Sequence, residues 1–437
     1  MEIIQSILSE IGLFFQSPNL WAYLFIPISA SLIGWTTNIL ALKMTFYPID
    51  FVGIEADNNE WFGIKPVGWG GVGKIGWQGI IPAKAGEMAS KAVDLMLDKL
   101  IDVRQQFAQI DPKIVAEEMA PKMQALSRQI IDEAMNENMP MVWKRLSERR
   151  KEAIYEDAAK ELPNAVETIM ADVKDHIDEL FDVKSMVVNE LTSNKKLLNY
   201  IFLKVGHQEF KFIERSGLYF GFLFGIIQMF LAIFFPEANM FLLPIGGVVI
   251  GYLTNFLALR LIFEPLHPIK IGPIIIQGLF IKRQAHVAKE YSKVVASQVL
   301  NTTKIFDAIL KGSGSDQLST IIQKHIQEAV DKTAGLSRSL IQITSGTKTY
   351  DRIKNITTER FMEVIPDTIK SVFGYAEEAL DIENTISTKM ADLPPEDFVG
   401  FLRPVFKEDE LKLILIGAAL GGMAGLLQLL VFFIIET

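Results

Sequence analysis

Ile33-Gly34-Trp35-Thr36-Thr37-Asn38-Ile39-Leu40-Ala41-Leu42-Lys43 runs on through Phe46 to Pro48. It returns as Ile250-Gly251-Tyr252-Leu253-Thr254-Asn255-Phe256-Leu257-Ala258-Leu259-Arg260, running on through Phe263 to Pro265. Over these 16 aligned positions 9 are identical. Each copy closes an apolar run long enough to cross a hydrocarbon core of ~30 Å. The chain therefore reads as a tandem repeat in which each unit opens with the same transmembrane helix.

Outward from these helices, further pairs of segments correspond. Gln78-Gly79-Ile80 with Lys84 matches Gln277-Gly278-Leu279 with Arg283, and Phe181-Asp182-Val183 matches Leu380-Asp381-Ile382, both at an offset of 199. Gly217, Gly221, Gly225 and Gln228 match Gly417, Gly421, Gly425 and Gln428 at an offset of 200. The opening motifs differ by 217, so the first copy carries about 18 more residues in its loop. The expected fold is an all-α membrane protein, with four transmembrane helices and two long helical cytoplasmic lobes.

In chain order, 1–19 reads as an amphipathic helix on the outer surface, or as the first turns of the next helix. Spans follow at 20–46, 216–235, 240–263 and 413–435. Interfacial loops occupy 47–81, rich in glycine and tryptophan, and 264–281. Helical lobes fill 82–215 and 282–412. Met88, Ala92, Leu95/Met96, Leu100, Val103 and Phe107 form one apolar stripe, and Val166, Ile169/Met170, Val173, Ile177 and Leu180 form another. Breaks are expected at Asp111-Pro112, Pro121, Pro140 and Pro163, then at Gly312-Ser313-Gly314, Pro366 and Pro394-Pro395.

Charge sets the orientation. All 43 basic residues lie in 43–215 and 260–412, while the remaining segments carry only Glu2, Glu10, Glu237 and Glu436. The bias predicts cytoplasmic lobes with both termini outside. A net charge of -9 argues against a nucleic-acid partner. The absence of cysteine excludes disulfides and thiolate chemistry.

Several residues could serve a site. Glycines four apart present a flat helix face, so Gly217, Gly221 and Gly225 suit close packing, with Gln228 on the same side and Gln428 as its candidate partner. Gly417, Gly421 and Gly425 repeat the pattern. Asn38 and Asn255 sit roughly 12 Å inside the cytoplasmic ends of their helices, each after a threonine, Thr37 or Thr254. The asparagines and threonines either hydrogen-bond between helices or to backbone carbonyls, or the paired asparagines line a small polar site where the repeats meet. Gly34 and Gly251 precede them. Lys43 and Arg260, one turn on, snorkel to the headgroups or hold a lipid phosphate.

Gly71-Val72-Gly73-Lys74-Ile75-Gly76 and Gly68–Lys74 match phosphate-binding patterns by letter only. Ile75 stands where a P-loop needs a hydroxyl, and no strand–helix alternation follows. His176, His207, His267, His286 and His325 are scattered, and no nucleophile–base set stands out. No cofactor, metal or enzymatic activity is expected.

The motif G-[WY]-x-T-N-x-L-A-L-[KR] with its following Phe and Pro resembles the signature of the bacterial domain-of-unknown-function 445 group, the YheB-like membrane proteins. Gln78-Gly79-Ile80-Ile81-Pro82, Phe181-Asp182-Val183 and the closing Gly-xxx-Gly-xxx-Gly-xx-Gln helix are similar to it as well. The second copy departs with Ile281 for Pro82 and Glu264 for Tyr47. The resemblance implies a bacterial inner-membrane protein and supplies no activity. Two functions fit: a scaffold whose lobes bind copies of itself or a cytoplasmic partner, and transport of a membrane lipid or other amphipathic molecule through the polar sites between repeats.

Overall fold

The computed structural model describes residues 20–55, 67–68, 71–72, 74–407 and 410–436. The expected amphipathic segment 1–19 lies outside the described residues, as do Trp61, Trp69, Gly63, Gly70 and Gly73 of the first loop. Four helices are long and apolar enough to cross a bilayer: Leu20–Phe46, His207–Phe234, Asn239–Phe263 and Glu410–Glu436, here the first to fourth spans. The shortest has 25 residues, about 38 Å at ~1.5 Å per residue. The second span begins at His207 rather than Ser216 because Phe210 and Ile213 carry its buried stripe through the charged first turns. Trp21, Leu24, Ile28, Leu32 and Trp35 are exposed at helical spacing along the first span, a stripe suited to lipid.

The chain divides into two compact units. One contains all four spans with 191–291 and 389–437. In it the first span packs along the second and the third along the fourth, and the two pairs meet each other. Ile26 and Leu243 (offset 217) share a core with Ala232 and Phe432 (offset 200).

After the first and third spans the chain turns through a proline in a cis peptide, Pro48 or Pro265. The loops, read from the sequence as irregular, fold there into antiparallel hairpins. Val52–Glu55 pairs with Lys74–Trp77, and Ile269–Ile271 with Ile274–Ile276. Each hairpin is closed in the same way. Gly79 N–H donates to Pro48 O at 2.8 Å and Gly278 N–H to Pro265 O at 3.0 Å. Gln78 donates to Ile49 O at 2.8 Å and Gln277 to Leu266 O at 3.2 Å. Lys74 and Gly76, letters of the phosphate-binding patterns, sit in a strand, not in a loop opening onto a helix.

The second unit, 96–190 with 292–388, is a helical body. Pro112–Asn138, Glu148–Asp175, Ser315–Ser345 and Thr347–Thr368 pack in a ring, each against the next. Asp111 caps the first of them by accepting from Lys113 N–H at 2.9 Å, with Pro112 at the first helical position, where a missing N–H costs nothing. Ser315–Ser345 bends at Gly335, whose φ of 44° suits a residue without a side chain.

Three expected breaks are absent. Pro121, Pro163 and Pro366 lie inside continuous helices. An internal proline costs about 3 kcal/mol, yet buried residues flank each one. Met119 and Met123 bracket Pro121, Leu162 and Val166 bracket Pro163, and Ile365 and Thr368 bracket Pro366. Burying a Leu- or Met-sized side chain is worth about 1.5–3 kcal/mol, so stripes running past a proline hold its helix together.

Candidate functional site

Close packing accounts for the glycines. A Cβ added to Gly34 would collide with the Gly217 carbonyl, and one on Gly251 with the Gly417 carbonyl. On Gly221 it would come within 2.5 Å of Ala30 O, and on Gly425 within 2.8 Å of Leu243 O. Gly225 meets Pro27 and Ala30, and Gly421 meets Gly247. The backbones of each helix pair therefore touch along most of the seam. Gln228 lies on this face but donates to Leu243 O at 3.3 Å and Leu242 O at 3.5 Å, not to Gln428. The Gln428 amide is buried with no hydrogen-bond partner among the described residues.

The threonines bond back along their own helices, Thr37 to Ile33 O at 2.9 Å and Thr254 to Ile250 O at 2.8 Å. The asparagines reach across. Asn38 donates to Ile213 O at 2.7 Å, and Asn255 to Leu413 O at 2.9 Å. Their Oδ1 atoms have no partner among the described residues. Both asparagines line one cavity of about 20 Å³ with Leu42, Leu259, Ile213 and Leu413. That volume suits a single water and is far too small for a lipid. Lys43 is exposed. Arg260, also exposed, pairs with Glu264 at 2.8 Å, and Glu264 accepts from Arg403 as well.

Arg260, Glu264, Arg403 and Glu410 line a second space of about 180 Å³, and an apolar cavity that no sequence motif marks lies in the helical body. Its volume is about 210 Å³. It runs along the ring of helices from Met119 to Met135 on one helix and from Ile154 to Val173 on the next. Sixteen residues of helix correspond to about 24 Å. Glu161 is the one charged residue among its described lining, which contains no Lys, Arg or His. The lining aromatics with polar atoms spend them elsewhere. Trp143 donates to Asp132 at 3.0 Å and Tyr350 to Asp331 at 2.6 Å. Nearby, burial and then the bond to Asp132 push the Tyr155 phenol above its ordinary pKa, so it stays a donor. The space is partly open, and an apolar volume of about 210 Å³ is large for a protein interior. Protein interiors are otherwise close-packed. The signal in the sequence is faint: Met119, Met123, Met135 and Met170 with Ala134, Ala158 and Ala165, flexible or small residues where core helices prefer leucine.

His325 and Asp172 tie two helices of this body together. His325 is buried, with Nε2 2.7 Å from Asp172 and Nδ1 3.3 Å from Glu328. The His325 hydrogen bond holds the Asp172 carboxyl below its ordinary pKa against the opposing effect of burial, and His325, Lys324 and His176 add Coulomb attraction. A carboxylate lowered in the folded state stabilises it above the unfolded pKa of about 4, and that contribution fades as pH falls through the folded value. The thermal midpoint of the full chain should therefore fall more steeply below about pH 4 than that of Asp172→Asn. Parallel profiles would refute the coupling.

Over 92 residues the chain is 29% identical to a UPF0754 membrane protein of Cyanothece sp. (strain PCC 7425 / ATCC 29141), a match covering 20% of this chain and 23% of that protein. Over 102 residues it is 30% identical to a UPF0754 membrane protein of Staphylococcus aureus (strain JH9), covering 23% of this chain and 26% of that one. The chain thus matches about a quarter of the length of these curated relatives. No family model matches it, and no solved structure matches it. The relatives and the four apolar helices together support a membrane protein, akin to an uncharacterised membrane family.

Proposed function

We propose that this protein, anchored by four bilayer-crossing helices, binds the apolar part of a membrane lipid in its helical body. The cavity of about 210 Å³ carries the reading. A partly open apolar cavity inside a four-helix ring suits an apolar ligand. Lipid is the apolar ligand at hand for a chain with four bilayer-crossing helices. The Asn38–Asn255 cavity takes a structural part, because it admits only a water-sized guest.

The protein is built by duplication, a bacterial inner-membrane relative of the 445 group with its helical body in the cytoplasm and its termini outside. The one-sided charge supports the orientation. Support for duplication comes from offset-related residues meeting in space, Asn38 with Asn255 and Ile26 with Leu243. A scaffold that recruits protein partners is the weaker reading. It drew on apolar lobe faces in need of a cover, and in the helical body those faces largely cover one another. Among its described residues only Ile114, Met141 and Val142 are large, apolar and exposed.

Lipid should remain with the full chain, at about one equivalent, after purification in mild detergent and washing that strips the loosely held annulus. Native mass spectrometry and lipid extraction read this directly. Protein that is folded and lipid-free after such washing would end the proposal.

A further inference from the structure

We infer that the space where the third span ends and the fourth begins binds the head group of a zwitterionic phospholipid, its phosphate on Arg260 and Arg403 and its ammonium on Glu410. All of this space lies in the unit that holds the spans. The inference goes beyond the lipid reading of the helical body and stands without it.

Position supplies the first argument. The space has a volume of about 180 Å³, and its walls include Phe256 and Leu259 together with Arg260, Glu264, Arg403 and Glu410. Phe256 and Leu259 belong to the third span, Arg260 to its last turn, and Glu264 follows its end, while Glu410 opens the fourth span. From Phe256 to Glu264 the wall changes from apolar to charged over about 12 Å. A phospholipid changes in the same sense from chain to head.

Charge supplies the second. Glu264 Oε2 accepts from Arg260 Nε and Oε1 accepts from Arg403 Nη2, both at 2.8 Å, so this acid holds two guanidinium groups side by side. Burial works against its ionisation, yet the bonds from Arg403 and Arg260 and their positive charges keep the carboxyl below its ordinary pKa. Each guanidinium has five donors and spends one on Glu264. Their remaining planar forks match phosphate oxygens. Glu410 has no ion-pair partner among the described residues. A purely anionic head would leave that carboxylate unmatched, whereas a head of both signs satisfies all four charges.

The first half of the chain lacks both acids. Tyr47 stands for Glu264 at the offset of 217, and Phe210 stands for Glu410 at the offset of 200. The Phe210 ring packs 5.2 Å from that of Phe46. Aromatic packing there occupies the place that carries charge in the second half.

The full chain in a non-ionic detergent is titrated separately with phosphatidylethanolamine and phosphatidylglycerol, and bound lipid is counted by native mass spectrometry. Both lipids carry a phosphate diester, and only the first carries an ammonium. One saturable phosphatidylethanolamine sensitive to Arg403→Gln is expected, with phosphatidylglycerol about 10-fold weaker for want of one charge-assisted contact. Glu410→Gln should erase that preference, and Arg403→Gln should weaken both lipids about 10-fold. Should Arg403→Gln lose its cooperative thermal transition, Glu410→Gln carries the test, since it breaks no ion pair among the described residues. Soluble phosphoethanolamine should leave the bound lipid in place at concentrations equal to that of the lipid. Displacement at those concentrations would assign the site to a free phosphate ester and overturn its assignment to a lipid. Lipid binding indifferent to both variants, or a wild type that prefers phosphatidylglycerol, overturns the inference and leaves the helical-body reading standing. Protein that is lipid-free after washing, yet binds phosphatidylethanolamine with the expected response to Glu410→Gln, overturns the helical-body reading alone.

Discussion

Valine in place of Gly251 is expected to remove about 3 kcal/mol or more of stability, read as a lowered thermal midpoint in nanodiscs. Gly251 faces the Gly417 carbonyl, and a Cβ added at Gly417 would in turn come within 2.7 Å of Gly251 O and of the Asn255 side chain. Every atom against which the new methyls would press is backbone or a buried, bonded amide. Neither can swing aside as the end of a lysine could. The helices must separate instead, and Asn255 then loses its hold on Leu413 O. In lipid little hydrophobic drive opposes such separation, because acyl chains solvate the parted faces as well as the helices did. Gly34→Val should act in the same way on the first pair, through Gly217. Gly374→Ala gives the contrast. A Cβ there meets nothing within 4 Å, and exchanging glycine for alanine in a helix gains up to ~1 kcal/mol. If Gly251→Val melted with the wild type, the seam would not be where the bundle is held.

The spans and their pairing are legible in the sequence because a bilayer leaves few options. An apolar run of sufficient length must be a helix, and glycines at every fourth position must face something close. Hydrogen-bond partners are less legible. Asn38, Asn255 and Gln228 all donate to main-chain carbonyls on a neighbouring helix, and a carbonyl leaves no mark in the residue it belongs to. Gln428, the candidate partner of Gln228, therefore gives way to the Leu243 carbonyl. The hairpins escape for another reason. Strands of three and four residues, with Gly53 and Gly76 directly opposite one another, show no alternation to detect. The cavity of the helical body is hardest of all. Its walls come from helices nearly two hundred residues apart, such as the one bearing Met123 and the one bearing Ile322. Each stripe looks like ordinary core until ring closure decides how much of it stays uncovered.

Arg283→Met should cost about 3–5 kcal/mol, while Glu209→Gln added to it should restore most of that loss. Glu209 is 1% exposed and lies in the first turn of the second span. One carboxylate oxygen accepts from Arg283 Nη1 at 2.6 Å, and the other has no partner among the described residues. Helix N–H groups favour a negative charge at that end, by up to ~1 kcal/mol in ordinary cases. That is too little to offset the desolvation of a whole carboxylate. The arginine is therefore what makes the buried charge tolerable, and removing it alone strands the acid. Replacing both residues by apolar ones of similar size, Glu209→Leu with Arg283→Met, should come close to the wild type or exceed it, since no charge is then left to desolvate. Thermal unfolding of the single and paired variants in nanodiscs closes the cycle. A coupling energy near zero would mean that water reaches Glu209 in the membrane-embedded protein. The ion pair between the second span and the segment following Leu279–Lys282 would then be a surface contact, worth no more than ~1 kcal/mol.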